Sequence, residues 1–225
     1  MNTAPGWYGK LSSLGDFAGR RLAPDWVKSC DQWLSEAMSA SRAELGARWL
    51  EVYLSAPVWR FAWAPGVVDA RWWFGVLMPS CDNVGRYFPL LIAQPRDKPP
   101  VDRVGLDHLE LWWSHLAQAA MQTLHDQASV DDFEDLLVQA PPFPTAATVA
   151  VGPAVTVQGR ARHDTASGAT LVQVLHGVAA QNMFTRLAGC SLWWPMSDEA
   201  GDPPVTVAQG LPDPQQFAEL LAGGW

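Results

Sequence analysis

Two pairs of adjacent tryptophans constrain the fold of this chain more than any other feature of its sequence. Trp72-Trp73 and Trp193-Trp194 each lie in a short apolar and aromatic run with the length of a β-strand. Adjacent side chains on a strand point to opposite faces of the sheet, so each pair places a large ring on both faces. Burying each ring stabilises the fold by about 2–3 kcal/mol. The sequence therefore predicts helices on both faces: an α/β fold, a three-layer α/β/α sandwich around a mixed, largely antiparallel central sheet.

Local patterns predict the strands at the centre of this sandwich. Residues 58–64 and 71–78 are aromatic and β-branched runs on either side of the turn signal Pro65-Gly66, which is typical of a hairpin. A third strand is predicted at residues 87–94. Because a hairpin pairs its strands antiparallel, a purely parallel sheet is excluded.

Helical spacing predicts the outer layers. Pro24 and Asp25 suit the first turn of a helix that continues to Leu45. The clearest helix is predicted at 106–127, with the buried stripe Leu109, Trp112, Trp113, Leu116, Ala120 and Leu124. The remaining predicted elements are strands at 6–11, 148–151, 155–158, 191–194 and 205–208, and helices at 49–54, 131–139, 170–188 and after Asp213.

Length and charge narrow the functional classes. A chain of 225 residues without a linker fits one domain. A net charge of −8 argues against nucleic acid as a partner, since phosphate binding needs clustered Lys and Arg. No apolar run fits a secretory leader or a membrane span, and the three widely spaced cysteines fit a reducing compartment. We expect a soluble, cytoplasmic protein without membrane insertion.

Three catalytic or metal-binding patterns are present only in part, because each lacks a residue that its chemistry requires. Gly9-Lys10 lacks the first glycine and the Ser/Thr of a phosphate-binding loop, and residues 11–15 lack the first glycine of a nucleophile elbow. His108 and His115 share a helix flank, but two histidines without a third ligand make a poor metal site. We therefore expect no catalytic residue, no metal and no cofactor, and folding that needs neither metal nor nucleotide.

A denser polar cluster precedes the third predicted strand. Asp82, Arg86 and Tyr87 lie close together in sequence, and the planar guanidinium of Arg86 suits a carboxylate or phosphate of a ligand or partner. Alternatively, an internal Asp82–Arg86 or Asp16–Arg86 ion pair fixes the loop. An Asp16–Arg86 contact would join two separate segments into one surface.

Five segments in one order carry a family resemblance. They are GWYGKLSSLGDF (6–17), YLSAPVWRF (53–61), GVLMPSCDNVGRYFPL (75–90), SLWWP (191–195) and GLPDPQQF (210–217). Together they resemble the TagF family, also called ImpM, whose members are accessory proteins of the bacterial type VI secretion system. The resemblance covers nearly the whole chain, from Gly6 to Trp225.

The resemblance implies a regulator without enzymatic activity. Such proteins repress secretion post-translationally by binding the cytoplasmic forkhead-associated-domain scaffold of the system. The family brings no catalytic residues, so the site candidates are residues for partner contact: Gly15, Asp16, Phe17, Arg20, Arg21, Asp82, Arg86 and Tyr87. Because Arg20 and Arg21 form a basic pair on an acidic protein, Arg20→Glu with Arg21→Glu is expected to weaken binding without much loss of stability. If the two arginines instead satisfy nearby carboxylates, the same change lowers stability.

Two rival functions remain open at this point. One is a small-ligand-binding or hydrolytic α/β domain that uses Asp16, Ser80, Asp82 and Arg86. The other is a structural component associated with the secretion baseplate. A deep apolar pocket with convergent polar groups would favour the ligand-binding function. A shallow apolar patch rimmed by charge would favour partner binding.

Overall fold

A seven-stranded sheet forms the centre of the molecule. The computed structural model describes residues 4–125, 127–144, 151–158, 160–165, 167–196 and 204–225. Within these ranges the strands are β1 (Gly6–Gly9), β2 (Ala18–Arg20), β3 (Trp59–Trp63), β4 (Trp72–Met78), β5 (Leu90–Arg96), β6 (Val151–Val157), β7 (Arg160–Thr165), β8 (Cys190–Pro195) and β9 (Thr206–Gln209). The order in the main sheet is β2-β1-β5-β4-β3-β8-β9, and β6 pairs with β7 in a separate hairpin. Each of these strand pairings is antiparallel.

Helices cover both faces of this sheet. They are α1 (Pro24–Leu45), α2 (Trp49–Ser55), α3 (Arg103–Gln122), α4 (Val130–Val138), α5 (Leu171–Leu187) and α6 (Phe217–Leu221), with single 3-10 turns at Gly46–Arg48 and Pro214–Gln216. Residues of α1, α2 and α6 share one buried cluster with one face of the sheet, and residues of α3 and α4 share another with the opposite face. Within the described residues, no helix is both long enough and apolar enough to cross a membrane.

The tryptophan pair of β4 divides between the two cores as its alternation predicts. Trp72 is 5% exposed and packs on the α3 side, whereas Trp73 is 2% exposed and packs on the α1 side. Trp73 stacks on Trp26 of α1, with ring centroids 4.3 Å apart. The predicted α/β sandwich with a largely antiparallel sheet is confirmed.

Strands from the second half of the chain complete the sheet. β8 pairs along the whole of β3, from Trp59 opposite Pro195 to Trp63 opposite Ser191. The side chain of Trp193 is fully buried against the rings of Phe61 and Trp63. The C-terminal segment is therefore part of the central core.

Several predicted boundaries were wrong, each for a local reason. β5 begins at Leu90 instead of residue 87, because Tyr87 forms an isolated bridge with Cys81 in the preceding loop. α3 begins at Arg103 because Asp102 caps it, accepting a hydrogen bond from the backbone N of Gly105 at 2.8 Å. It ends at Gln122, so Leu124 lies beyond it and is 48% exposed instead of buried.

The sequence patterns did not predict two short strands, β2 and β7. β2 has only three residues and pairs with β1, while β7 follows β6 in the separate hairpin. The strand predicted at 148–151 lies, except for Val151, outside the described residues, and that predicted at 155–158 falls largely within β6.

Candidate functional site

Two loops of the resembling segments pack against each other at the β1–β5 side of the sheet. We call residues 12–17 and 80–88 together the paired-loop surface. The backbone N of Asn83 donates to the carbonyl of Leu14 at 2.9 Å, and the guanidinium of Arg86 donates to the carbonyl of Gly15. The hydroxyl of Ser80 donates to the carbonyl of Lys10 at 2.8 Å. The structure therefore brings the two predicted segments together.

The carboxylate of Asp82 is the centre of this junction. Its Oδ2 accepts from Lys10 Nζ at 2.5 Å and from Arg86 Nε at 2.7 Å. Its Oδ1 accepts from the backbone N of Arg86 at 2.8 Å and of Val84 at 3.1 Å. The Asp82 side chain is inaccessible and that of Lys10 only 5% exposed. A buried carboxylate with several donors and a buried ammonium beside it neutralise each other.

The pKa of Asp82 reflects this arrangement. Burial by itself raises the pKa, but hydrogen bonds from Lys10 and Arg86 outweigh burial and hold it well below its usual range. Asp82 is therefore ionised at neutral pH, and its charge fixes the loop. Of the two internal ion pairs considered above, Asp82–Arg86 is present in the structure. Asp16 instead accepts a hydrogen bond from the backbone N of Phe17 at 2.8 Å, so the Gly15 carbonyl joins the segments in its place.

Two glycines permit this close packing. Gly9 has φ of +140°, and a Cβ built on it would lie 2.2 Å from the carbonyl oxygen of Pro89. Gly85 has φ of +80° in the turn where its backbone N donates to the carbonyl of Asp82. A side chain at either position would strain the backbone.

Phe17 is an exposed aromatic residue of the paired-loop surface. The residue is 44% exposed. It stacks on Tyr8 with centroids 5.9 Å apart and meets Phe88 edge-on at 4.8 Å. Lys10 Nζ lies 4.9 Å from its centroid. Tyr8, Phe88 and Lys10 thus restrain the ring while nearly half of the residue stays exposed to solvent, as suits a contact residue.

Shallow grooves open on both sides of Phe17. We call them groove A and groove B, with volumes of about 550 Å³ and 530 Å³. Groove A is lined by Tyr8, Phe17, Ala18, Gly19, Arg20, Leu22, Pro24, Val27, Lys28 and Asp31. Groove B is lined by Lys10, Phe17, Arg42, Gly85, Arg86, Tyr87 and Phe88. Both grooves are open to solvent and have charged residues at their edges. A shallow surface of this kind favours partner binding over a deep ligand pocket.

Arg20 and Arg21 have different environments. Arg21 donates to Glu134 of α4 through both terminal nitrogens, at 2.5 Å and 3.1 Å, and its Nε donates to the carbonyl of Pro5 at 2.9 Å. Arg20 is 52% exposed, and its nearest approach to Glu134 is 3.9 Å. The indole N–H of Trp7 also donates to Glu134. Of the two alternatives stated for this pair, pairing with a nearby carboxylate is therefore observed for Arg21, which directly follows β2 and contacts α4, whereas Arg20 is largely exposed.

Arg21→Ala is expected to lower the free energy of unfolding by about 1.5–3 kcal/mol, because it removes charged hydrogen bonds and leaves the buried Glu134 short of donors. Arg20→Ala, the matched control, is expected to change it by less than about 0.5 kcal/mol. Urea unfolding of both variants measures the difference. Equal stabilities would show that the Arg21–Glu134 pair does not hold the two elements together.

Two of the histidines lie against backbone carbonyls, and His108, which the sequence places on the same helix flank as His115, is exposed. His115 lies with its Nε2 2.7 Å from the carbonyl oxygen of Leu136, and His176 with its Nε2 2.7 Å from that of Val101. Within the described part of the chain, no group of three or more His, Cys, Asp or Glu side chains is arranged to hold a metal. None of these histidines thus takes part in a set of potential metal ligands.

Sequence reasoning missed three residues of this region. Glu134 and Arg42 had no local signal, because Glu134 pairs with Arg21, 113 residues away, and Arg42 meets the other residues of groove B only in the folded chain. A weak signal existed for Lys10, which lies inside the first resembling segment between two buried residues, Gly9 and Leu11. Arg42 lies on α1, outside every resembling segment. It lines groove B because the fold packs the end of α1 near the paired-loop surface.

Comparisons with known proteins agree with the resemblance. Residues 6–140 match the family described as TagF N-terminal domain, type VI secretion system-associated. A solved crystal structure, that of PA0076 from Pseudomonas aeruginosa PAO1, is 34% identical in sequence, covers 98% of this chain and 94% of its own, and superposes with a TM-score of 0.77. No curated protein matches this chain. The chain belongs to the TagF family of type VI secretion system-associated proteins.

Proposed function

We propose that this chain is a non-enzymatic, cytoplasmic regulator that represses type VI secretion by binding the forkhead-associated-domain scaffold of the system. Family membership supplies the association with the secretion system. The observation that carries the binding role is the exposed ring of Phe17, fixed between two open grooves on the surface where the resembling segments meet. An aromatic residue held in one orientation loses little conformational entropy on binding.

The candidate contact residues divide by exposure. Asp16, Phe17, Arg20 and Arg86 present side chains to solvent and would touch the scaffold. Asp82 holds the two loops together from inside, and Arg21 pairs with Glu134 of α4. Gly15 accepts a hydrogen bond from Arg86, and Tyr87 forms part of the wall of groove B. The carboxylate of Asp82 receives four hydrogen bonds from within the chain, which supports a structural role over a hydrolytic one.

Repression by binding is stoichiometric, since sequestration follows mass action whereas a catalyst turns over. Raising the cellular level of this chain above that of the scaffold is expected to silence type VI secretion. Raising the scaffold in turn is expected to restore it. The measurement is secretion of a type VI substrate at a series of ratios of the two proteins, with both levels quantified in the same cells.

A matched pair of variants makes this test specific. Phe17→Ala removes the exposed ring, whereas Leu54→Ala removes a 63% exposed apolar side chain outside both grooves. The first should lose repression and the second keep it, at equal protein levels. Repression that persists with the scaffold in large excess would contradict sequestration and favour an enzymatic mechanism.

A further inference from the structure

Groove B has a charge that the composition of the protein does not explain. The chain carries a net charge of −8, yet three of the seven residues lining groove B are cationic: Lys10, Arg42 and Arg86. Among the lining residues, all of which the structure describes, none is a carboxylate. The inaccessible carboxylate of Asp82 pairs with both Lys10 and Arg86, so these three groups together keep one net positive charge. Arg42 adds a second positive charge, and the exposed cationic side chains of the groove are those of Arg42 and Arg86.

These two arginines approach groove B from different elements. Arg42 is exposed in the last turn of α1, where its guanidinium lies 4.2 Å from the ring centroid of Trp49. Arg86 is 57% exposed; its Nε is bound to Asp82 and one terminal nitrogen donates to Gly15. Both guanidinium groups are therefore oriented by contacts within the chain, while the rim stays in contact with solvent. Oriented guanidinium groups are suited to bind carboxylates through paired N–H donors.

Aromatic residues form the remaining wall of groove B. Phe17, Tyr87 and Phe88 line it together with the two rim arginines. A volume of about 530 Å³ has room for several side chains of an extended segment. An occupant that matches this lining has carboxylates for the rim and an apolar side chain to lie against Phe17.

We propose that groove B binds an acidic segment of the protein partner, with Asp or Glu side chains on Arg42 and Arg86 and an apolar side chain against Phe17. This inference rests on the proposed scaffold binding and adds the chemistry of the segment that is recognised. Net charge alone would repel an acidic segment from this protein, so local complementarity at the groove must supply both the attraction and the orientation. Such an interaction weakens as salt screens the exposed charges.

The test measures the dissociation constant of the purified scaffold protein for the full chain, by biolayer interferometry at about 50 mM and about 300 mM NaCl. Arg42→Glu is expected to weaken binding about tenfold at the lower salt, with a smaller deficit at the higher. Arg42→Lys keeps the charge and is expected to bind nearly as the native chain. Arg48→Glu makes the same charge change at an exposed residue outside groove B and is expected to alter binding by less than about threefold. Melting curves of each variant confirm folding.

A competition arm tests the chemistry of the occupant. A hexaglutamate peptide is expected to displace the scaffold from the native chain, and to do so poorly from Arg42→Glu, whereas hexalysine should not displace it. If the native chain binds the scaffold and Arg42→Glu binds as well as Arg48→Glu, groove B is not the site, and scaffold binding stands without it. If hexaglutamate fails to compete while Arg42→Glu weakens binding, the occupant is not an acidic segment. If the native chain does not bind the scaffold, scaffold binding is overturned together with this inference.

Discussion

Residues 1–140 alone are expected not to fold cooperatively, although the match to the family covers nearly all of this part. Without β8, the strand β3 loses a partner along its full length. Four buried side chains of the α1-side core are lost as well: Trp193, Phe217, Leu220 and Leu221. Their burial contributes about 6–12 kcal/mol together, which is comparable with the whole stability of a typical domain, about 5–15 kcal/mol.

The lost segment also satisfies buried indole groups of the first half. Trp33 donates to the carbonyl of Pro212 at 2.8 Å, and Trp59 donates to that of Leu220 at 3.0 Å. Leaving such donors unpaired in a core costs about 1–3 kcal/mol each. Circular dichroism during heating should show no cooperative transition for 1–140, and co-expression with 141–225 should restore one. A sharp transition of 1–140 near that of the full chain would show that the first half folds independently of β8.

The parts of the fold that were predictable depend on local periodicity. The alternation at Trp72-Trp73 and the turn at Pro65-Gly66 each involve only a few neighbouring residues. From them the sequence predicted that both faces of the sheet are covered and that β3 and β4 form a hairpin. The start of α1 at Pro24 followed from helix-start chemistry in the same way. β2 was not predictable, because three residues are too few to show an alternating pattern. This strand forms by pairing with β1.

The candidate site was predictable only where its partners are close in sequence. The pair Asp82–Arg86 spans four residues and was one of the alternatives considered. Lys10 is 72 residues from Asp82, and Arg21 is 113 residues from Glu134. No local pattern relates such residues, because sheet order and helix packing bring them together. Arg21 is an example: the sequence left open whether it contacts a partner or pairs with a carboxylate, and the fold pairs it with Glu134.

Trp72→Ala and Trp73→Ala are each expected to lower the free energy of unfolding by about 3–5 kcal/mol, because each removes a buried indole and leaves a cavity. Trp73→Ala also removes the stack on Trp26 and leaves Asp69 without the indole donor, 3.0 Å away. Leu54→Ala, at a 63% exposed position, is the control and is expected to cost less than about 0.5 kcal/mol. Urea unfolding monitored by fluorescence and circular dichroism measures all three.

The two tryptophans test different layers of the sandwich. Trp72 contacts Phe74 and Phe184 on the α3 side, so its loss opens one core. Trp73 faces α1, so its loss opens the other. Because the sheet separates the two cavities, neither can be filled by the neighbours of the other, and the costs of the two changes are expected to be close to additive. The double variant would then lose about as much free energy as a typical domain possesses, and we expect it not to fold. A double variant that unfolds at the same urea concentration as either single variant would contradict the division into two cores.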